Sequence, residues 1–272
     1  MNSLFIFLKY ARYRYILFRL SLRIKMGKKK RDEYLKNSGI SIIDFLPERP
    51  YVKQGIKVIP RKGSRDFYMF FLPREQDVQS QLVMNRNETF VDVGANIGSY
   101  SLRIANDYKD KGVKVIAIEA HPDNFKALER NVKCNGFANV KIINKAVSDH
   151  KGIVSLYERS HDGSRAGSDV YSLFNTFLHP SNYVLPHGKT LQTECDTLDS
   201  ILANYRVDVM KIDIEGAEVL ALKGATNTLK HLRKIIVEIH GDNFQKVNEI
   251  LETSNFNLEV SKEAMQHVIG SR

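Results

Sequence analysis

Tryptophan is absent and cysteine nearly so: Cys134 and Cys195 stand far apart and form no CxxC pair. A disulfide framework and a cysteine-built zinc centre are thereby excluded, and a reducing compartment is the simpler setting. Also missing is a long apolar run. A membrane-spanning helix needs about 20 predominantly apolar residues, whereas the longest uncharged stretch of the N-terminal arm ends at Leu8. A secretory signal would place its charges first and follow its apolar core with small residues, a pattern the arm does not follow. Finally, most of the chain lacks a charge excess. Of its 41 basic residues ten fall within residues 1–31, which hold no acid, so that 31 basic residues face 31 acids in the remainder. The formal charge of +10 belongs to an arm, and the body is neutral.

What is present is a globular composition, 43% apolar and 26% charged over 272 residues, enough for one large domain with additions. The arm, residues 1–31, mixes Leu, Ile, Phe and Tyr with a basic residue every few positions. Two readings stay open: an amphipathic helix on an anionic membrane surface, or a segment that packs on a partner or stays partly disordered. RNA binding is a third. Residues 32–85 form an extension with a hairpin signal at 56–72 (IKVIP, a polar RKGSRD turn, DFYMFFL) and a helix-like stretch at 75–85.

From Thr89 onward strand and helix patterns alternate, the signature of a mainly parallel sheet with helices on both faces. Strands are expected at 89–93, 114–119, 140–145, 208–214 and 234–239, and helices near 98–106, 122–134, 216–229 and 242–253. The domain so defined, 86–272, is interrupted at 158–190 by a Gly- and Ser-rich insertion, a candidate substrate lid. Its histidines His161, His179 and His187 are expected to face solvent.

The segment FVDVGANIGSYSL, residues 90–102, carries the first chemical signal. A strand ends in an acid, Asp92, followed by a turn with Gly94, Asn96 and Gly98. A dinucleotide fingerprint needs G-x-G-x-x-G, and two of its three glycines are missing here. A phosphate loop fails for want of Gly-Lys-Ser/Thr. An acid at that strand end would repel a pyrophosphate and suits a cationic ligand instead. S-adenosylmethionine carries an ammonium and a sulfonium and no phosphate, and Asp92 would hold its aminoacyl portion directly or through water. Glu119, at the tip of the next strand and 25 residues after Gly94, is placed to accept both ribose hydroxyls.

KIDIEGAE, residues 211–218, supplies the second signal. Alternation puts Lys211, Asp213 and Glu215 on one face, where charges are costly unless paired or used. IIVEIH repeats the pattern with Glu238 and His240.

FVDVGANIGSYSL, AIEAHPDNFKALERNV, NKAVSD, TLDSIL, KIDIEGAEVLALKGA and IIVEIH, in that order, resemble the FkbM family of S-adenosylmethionine-dependent methyltransferases over residues 56–245. The resemblance implies a class I, Rossmann-like fold and methylation of a hydroxyl oxygen. It assigns Asp92, Gly94, Asn96 and Gly98 to the cofactor turn, Glu119 to the ribose and Ala146–Val147 to the adenine side. It also makes the Asp213 and Glu238 strands neighbours, which brings Asp213, Glu215, Glu238 and His240 beside the methyl group. Asp213 is expected to contact substrate or cofactor, His240 to act as base, and Glu215 to serve as a further base or as a helix cap. The carboxylates and histidine could hold Mg²⁺, but their spacing matches no recognised metal motif and no metal ligand is assigned. The expected acceptor is a sugar, glycan or lipid-linked saccharide, and the expected location cytoplasmic, with the arm at the inner membrane surface. Alternatives are an RNA methyltransferase using the basic arm and a non-catalytic cofactor-binding scaffold.

Overall fold

The computed structural model describes residues 47–61, 64, 66–71, 75–158, 171–172, 190–261 and 266–272. The arm at 1–31, residues 32–46 and nearly all of the 158–190 insertion, including His161, His179 and His187, lie outside the described residues.

The central sheet is built where the sequence is apolar on both faces. Strands β3 (Thr89–Val93), β4 (Lys114–Ile118), β5 (Val140–Ile143), β10 (Val209–Ile212) and β11 (Lys234–Glu238) run parallel, and β13 (His267–Ser271) and β12 (Asn257–Val260) add an antiparallel edge. Their spatial order is β12-β13-β11-β10-β3-β4-β5. The chain leaves β3 in one direction through β4 and β5 and returns on its other side through β10 and β11. The reversal point, where such sheets bind ligands beyond the strand ends, therefore lies between β3 and β10. The five parallel strands expected from Thr89 onward all form, with ends shifted by up to two residues.

Each face is sealed by helices. On one, Val91, Val93, Met210, Ile212, Ile235 and Val237 pack with residues of α5 (Leu198–Ile201), α6 (Glu218–Lys223), α7 (Thr226–Leu229) and α8 (Phe244–Thr253). On the other, Phe90, Val115, Val209 and Ile236 pack with α2 (Gln76–Gln81) and α3 (Ser99–Asp107), while α4 (Pro122–Asn135) covers the β4 side. Helix α4 has a clear sequence basis. The His121 side chain accepts from Asp123 N, Pro122 opens the first turn, and Gly136 ends the helix in the left-handed region.

Three expectations are corrected. DFYMFFL is not the second strand of a hairpin but forms helix α1 (Asp66–Phe71); the hairpin is β1 (Tyr51–Lys53) with β2 (Ile56–Val58), joined through Gln54 and Gly55, both at positive φ. An aromatic run with period-2 texture is ambiguous at this length, and Lys53 Nζ settles it by bonding the Phe70 and Phe71 carbonyls that a helix end leaves open. The helix expected over 216–229 is two short helices broken at Gly224, where an added Cβ would lie 2.3 Å from the Ser148 carbonyl. The third is a second sheet, order β6-β9-β7-β8, of β6 (Ala146–Val147), β7 (Gly152–Glu158), β8 (Tyr171–Ser172) and β9 (Thr190–Asp196). It flanks the insertion, where the alternation expected from Thr89 onward places no strand. Among the described residues no helix is long and apolar enough to cross a membrane.

Candidate active site

The turn after β3 is held by backbone on two sides. Gly94 N and Ala95 N donate to Ile118 O, at 2.9 and 3.0 Å, and Asp213 N donates to Val93 O at 2.9 Å. Gly94 sits at φ +82°, and a Cβ there would lie 1.8 Å from the Asp213 carbonyl oxygen. The glycine is thus demanded by the approach of β10 as much as by a ligand. Asn96 follows at φ +50° and Gly98 at +96°, the latter opening α3. Three left-handed residues within five is the kind of stored strain that accumulates at binding turns.

Two buried carboxylates fix this turn. Asp92 points into the α3 side, where its Oδ2 accepts from Ser101 N at 3.0 Å and Ser101 Oγ at 2.6 Å. It is 2% exposed, and burial raises its pKa against the pull of Lys211 and Ser101. Asp92 thereby ties the strand end to the first turn of α3, where a carboxylate also meets the helix dipole favourably. Glu119 lies just beyond β4. Its Oε2 accepts from Asn96 N at 2.7 Å, and its Oε1 from His121 N at 2.8 Å and Asn124 Nδ2 at 3.4 Å. Burial raises its pKa more than these donors lower it. Arg61 of the N-terminal extension, paired with Asp66, extends the network by donating to Asn124 Oδ1 at 2.7 Å. Asn144 Nδ2 donates to Glu119 O and Ala120 O, at 2.7 and 3.1 Å, which brings the chain leading to the buried Ala146–Val147 beside Glu119. A carboxylate only accepts; held at the strand tip in this way it fits a ribose diol, and the apolar Ala146–Val147 pair fits a flat base.

The other half of the site lies at the ends of β10 and β11, which are indeed neighbours. Asp213 Oδ2 is 2.9 Å from Lys211 Nζ. Although burial works to raise the Asp213 carboxyl, Lys211 and then His240 hold it well below the usual carboxylate range. His240 stands among acids: Nδ1 is 2.9 Å from Glu218 Oε1, and Nε2 is 3.4 Å from Glu215 Oε2 and 3.5 Å from Glu238 Oε1. Burial opposes its charge, but the Glu218 hydrogen bond and the charges of Glu215 and Asp213 outweigh it and bring the pKa to about 10. Glu218 itself, fully buried, also accepts from Gly216 N at 2.7 Å and Asn243 Nδ2 at 2.6 Å. Glu238 is pushed up by burial and by Asp213. Glu215 occupies a left-handed conformation, φ +52°, so the strand alternation expected for it ends at Asp213; its carboxylate reaches His240 from a turn.

The structure thus gathers Asp92, Gly94, Asn96, Gly98, Glu119, Ala146 and Val147 on one side of the β3–β10 junction and Asp213, Glu215 and His240 on the other. Asp213 and Glu215 keep side chains about a quarter exposed, at 25% and 26%. Asp213, Glu238 and His240 bring candidate ligand atoms within 4.8 Å of one another, a space of a size for a cation, and the positive groups found there are the Lys211 ammonium and the His240 imidazolium. Sequence reasoning missed Glu218, Ser101 and Asn243. Glu218 was legible as the last acid of KIDIEGAE; the others contribute ordinary polar residues on separate elements and carry no local signal.

Residues 92–260, more than half of the chain, match the methyltransferase FkbM domain. The chain is 28% identical over 195 residues to the hexuronic acid methyltransferase AglP of Haloferax volcanii, a span of 69% of this chain and 72% of that protein. It is 27% identical over 176 residues to methyltransferase sdnD of Sordaria araneosa, covering 56% and 66% of the two. Among solved structures, methyltransferase FkbM from Methylobacillus flagellatus KT aligns with a TM-score of 0.50 at 17% identity, over 77% of this chain but only 48% of that one. At that identity the likeness speaks for the fold alone, the class I methyltransferase arrangement of sheet and helices.

Proposed function

The chain belongs to the FkbM methyltransferase family, with S-adenosylmethionine as methyl donor, and on that premise we propose that it methylates a hydroxyl oxygen of a sugar, glycan or lipid-linked saccharide. The observation that carries the reading is the pair Asp213 and Glu215, partly exposed carboxylates beside the glycine turn. Ionised carboxylates only accept hydrogen bonds, so the group they receive must donate one. A hydroxyl does, and it is also a nucleophile too weak to dispense with a base. The name of the relative AglP, a hexuronic acid methyltransferase, supports a saccharide acceptor.

Bound cofactor supplies a methyl group on a positively charged sulfur. Glu119 would hold its ribose end and Ala146–Val147 would line its base, while Asp92 keeps the turn in shape from behind. Asp213 orients the acceptor hydroxyl and takes up its proton as the oxygen–carbon bond forms and the carbon–sulfur bond breaks, the demethylated thioether being the leaving group; Glu215, paired with His240, is the second carboxylate of this side. Base assistance of this kind is worth about 10²–10⁴-fold, and alignment of the two reactants contributes more. His240 has a different part from the one its residue type suggests. Charged up to about pH 10, it is a poor base and instead orients Glu215 and Glu238 as a donor.

The test is transfer of labelled methyl groups to a panel of neutral hexosides, hexuronic acids, lipid-linked saccharides and RNA. Labelling of a saccharide hydroxyl, lost in Asp213→Asn, is the expected result; labelling of RNA alone would replace the reading. For residues 1–31 the proposal is peripheral attachment to an anionic membrane, supported by ten basic residues and no acid among aromatic and aliphatic ones. Equal binding to anionic liposomes with and without those residues would contradict it.

A further inference from the structure

One buried charge has no part in the mechanism above. Lys211, in the middle of the parallel sheet, is 1% exposed. Its strand neighbours in register are Asp92 on β3 and Ile236 on β11, and the helix side above it is closed by Tyr100 of α3. The ammonium lies 4.6 Å from the centre of the Tyr100 ring, within cation–π range. The Tyr100 hydroxyl in turn donates to Glu75, just before α2. An isolated ammonium in this position would be very costly, so its surroundings are informative. Asp92 faces it from β3, Asp213 from the end of β10, Glu238 from β11 and Glu75 from the α2 side, with His240 beside Asp213 and His267 of β13 beside Glu238. Of these carboxylates Asp213 is the one that makes the direct 2.9 Å ion pair while also reaching the crevice.

We propose that Lys211 is a positioning residue, whose sealed ammonium fixes the orientation and negative charge of Asp213 so that one carboxylate oxygen is anchored and the other faces the acceptor. The idea rests on the proposed role of Asp213 in methyl transfer. The arrangement explains why a charge is kept in a strand that is otherwise apolar on both faces. A carboxylate at this junction, backed only by Glu238 and Asp92, would be driven toward its neutral acid, which can neither accept a proton nor hold a hydroxyl. The lysine removes that outcome, and the Tyr100 ring keeps water from loosening the pair. With the ammonium sealed from solvent, the ion pair is screened only from the Asp213 side, where the carboxylate meets the crevice.

The test follows the Asp213 carboxyl by carbon NMR as pH is lowered, assigned by its loss in Asp213→Asn, in wild type, Lys211→Met and Lys211→Arg. The measurement needs neither cofactor nor acceptor. Wild type should keep Asp213 ionised below the ordinary aspartate range near about 3.9. Lys211→Met should raise its midpoint by at least about one unit, a tenfold change in proton affinity, and Lys211→Arg should bring it back toward wild type. Binding of S-adenosylhomocysteine to Lys211→Met should stay within about threefold of wild type, and the acid limb of the methyl-transfer rate should move up with the Asp213 midpoint. An unchanged midpoint in folded Lys211→Met would overturn the proposal. Should that variant fail to fold, a wild-type midpoint at or above the ordinary range would overturn it equally. Full methyl transfer by Asp213→Asn would sink the proposed mechanism while leaving the titration result intact, so the two failures are distinguishable.

Discussion

The two halves of the site use acids in opposite ways. On the β3–β4 side, the buried Asp92 and Glu119 take their hydrogen bonds from uncharged donors, Ser101, the Asn96 and His121 amides and Asn124, with Lys211 acting on Asp92 through its charge alone. On the β10–β11 side, Asp213, Glu215, Glu218 and Glu238 are held chiefly by charge, through Lys211 and His240. Neutral donors give fixed geometry that salt and pH disturb little, which suits a half that must recognise one cofactor repeatedly. Charged partners in a largely buried junction set protonation states, which suits the proposed part of this half in accepting a proton. The comparison predicts that damage to the first half appears in binding and damage to the second in turnover and pH dependence.

The largest effect is expected where both halves meet. Gly94→Ala puts a Cβ 1.8 Å from the Asp213 carbonyl at φ +82°, and should cost about 4 kcal/mol or more, read as a large fall in thermal unfolding temperature together with lost cofactor binding. A variant that melts with wild type would mean that β3 and β10 are not so closely joined. Next, Asp213→Asn should lower kcat by about 10²–10⁴-fold in the saccharide labelling assay. A smaller effect is expected from Glu119→Gln, which keeps shape but removes the charge: S-adenosylhomocysteine affinity should fall by about tenfold, the worth of a charge-assisted hydrogen bond, with kcat at saturation little changed.

Much of this was legible in the sequence, for identifiable reasons. FVDVG and KIDIEG each place a charge in an apolar strand, and such a charge has to be explained by a partner or a task; that pointed to Asp92 and Asp213 before any coordinates. Glu119 was readable from its distance beyond the glycine turn. The roles were less legible than the positions. Asp92 proved to face Ser101 because a residue at that strand position points into the helix layer, and which helix residue meets it depends on packing. The expectation of a base at His240 follows from histidine's usual titration near neutrality; Glu215 and Glu218 stand in KIDIEGAE and Glu238 two residues before His240, but that all three close on one imidazole depends on how β10 and β11 pack. DFYMFFL became a helix because its ends are bonded by Lys53 and Arg61, residues the local pattern does not weigh.

The last comparison is read through pH and stability rather than through binding or turnover. With its pKa raised from 6.5 to about 10, His240 binds its proton more tightly in the folded chain than in the unfolded one. Its contribution is therefore full below pH 6.5 and is lost as pH rises through about 10. Urea midpoints of wild type and His240→Gln should differ most near pH 6 and converge toward pH 10. A gap that instead widened with pH would mean a neutral imidazole, and would return His240 to the role of base.

The most direct test of the division of labour is calorimetric binding of S-adenosylmethionine and S-adenosylhomocysteine to wild type, Glu119→Gln and Asp213→Asn, side by side. Wild type should bind both ligands, Glu119→Gln should bind both about tenfold more weakly, and Asp213→Asn should bind S-adenosylhomocysteine within about threefold of wild type while transferring methyl about 10²–10⁴-fold more slowly. Folded wild type that binds neither ligand, or an Asp213→Asn variant that loses affinity as Glu119→Gln does, would contradict the account.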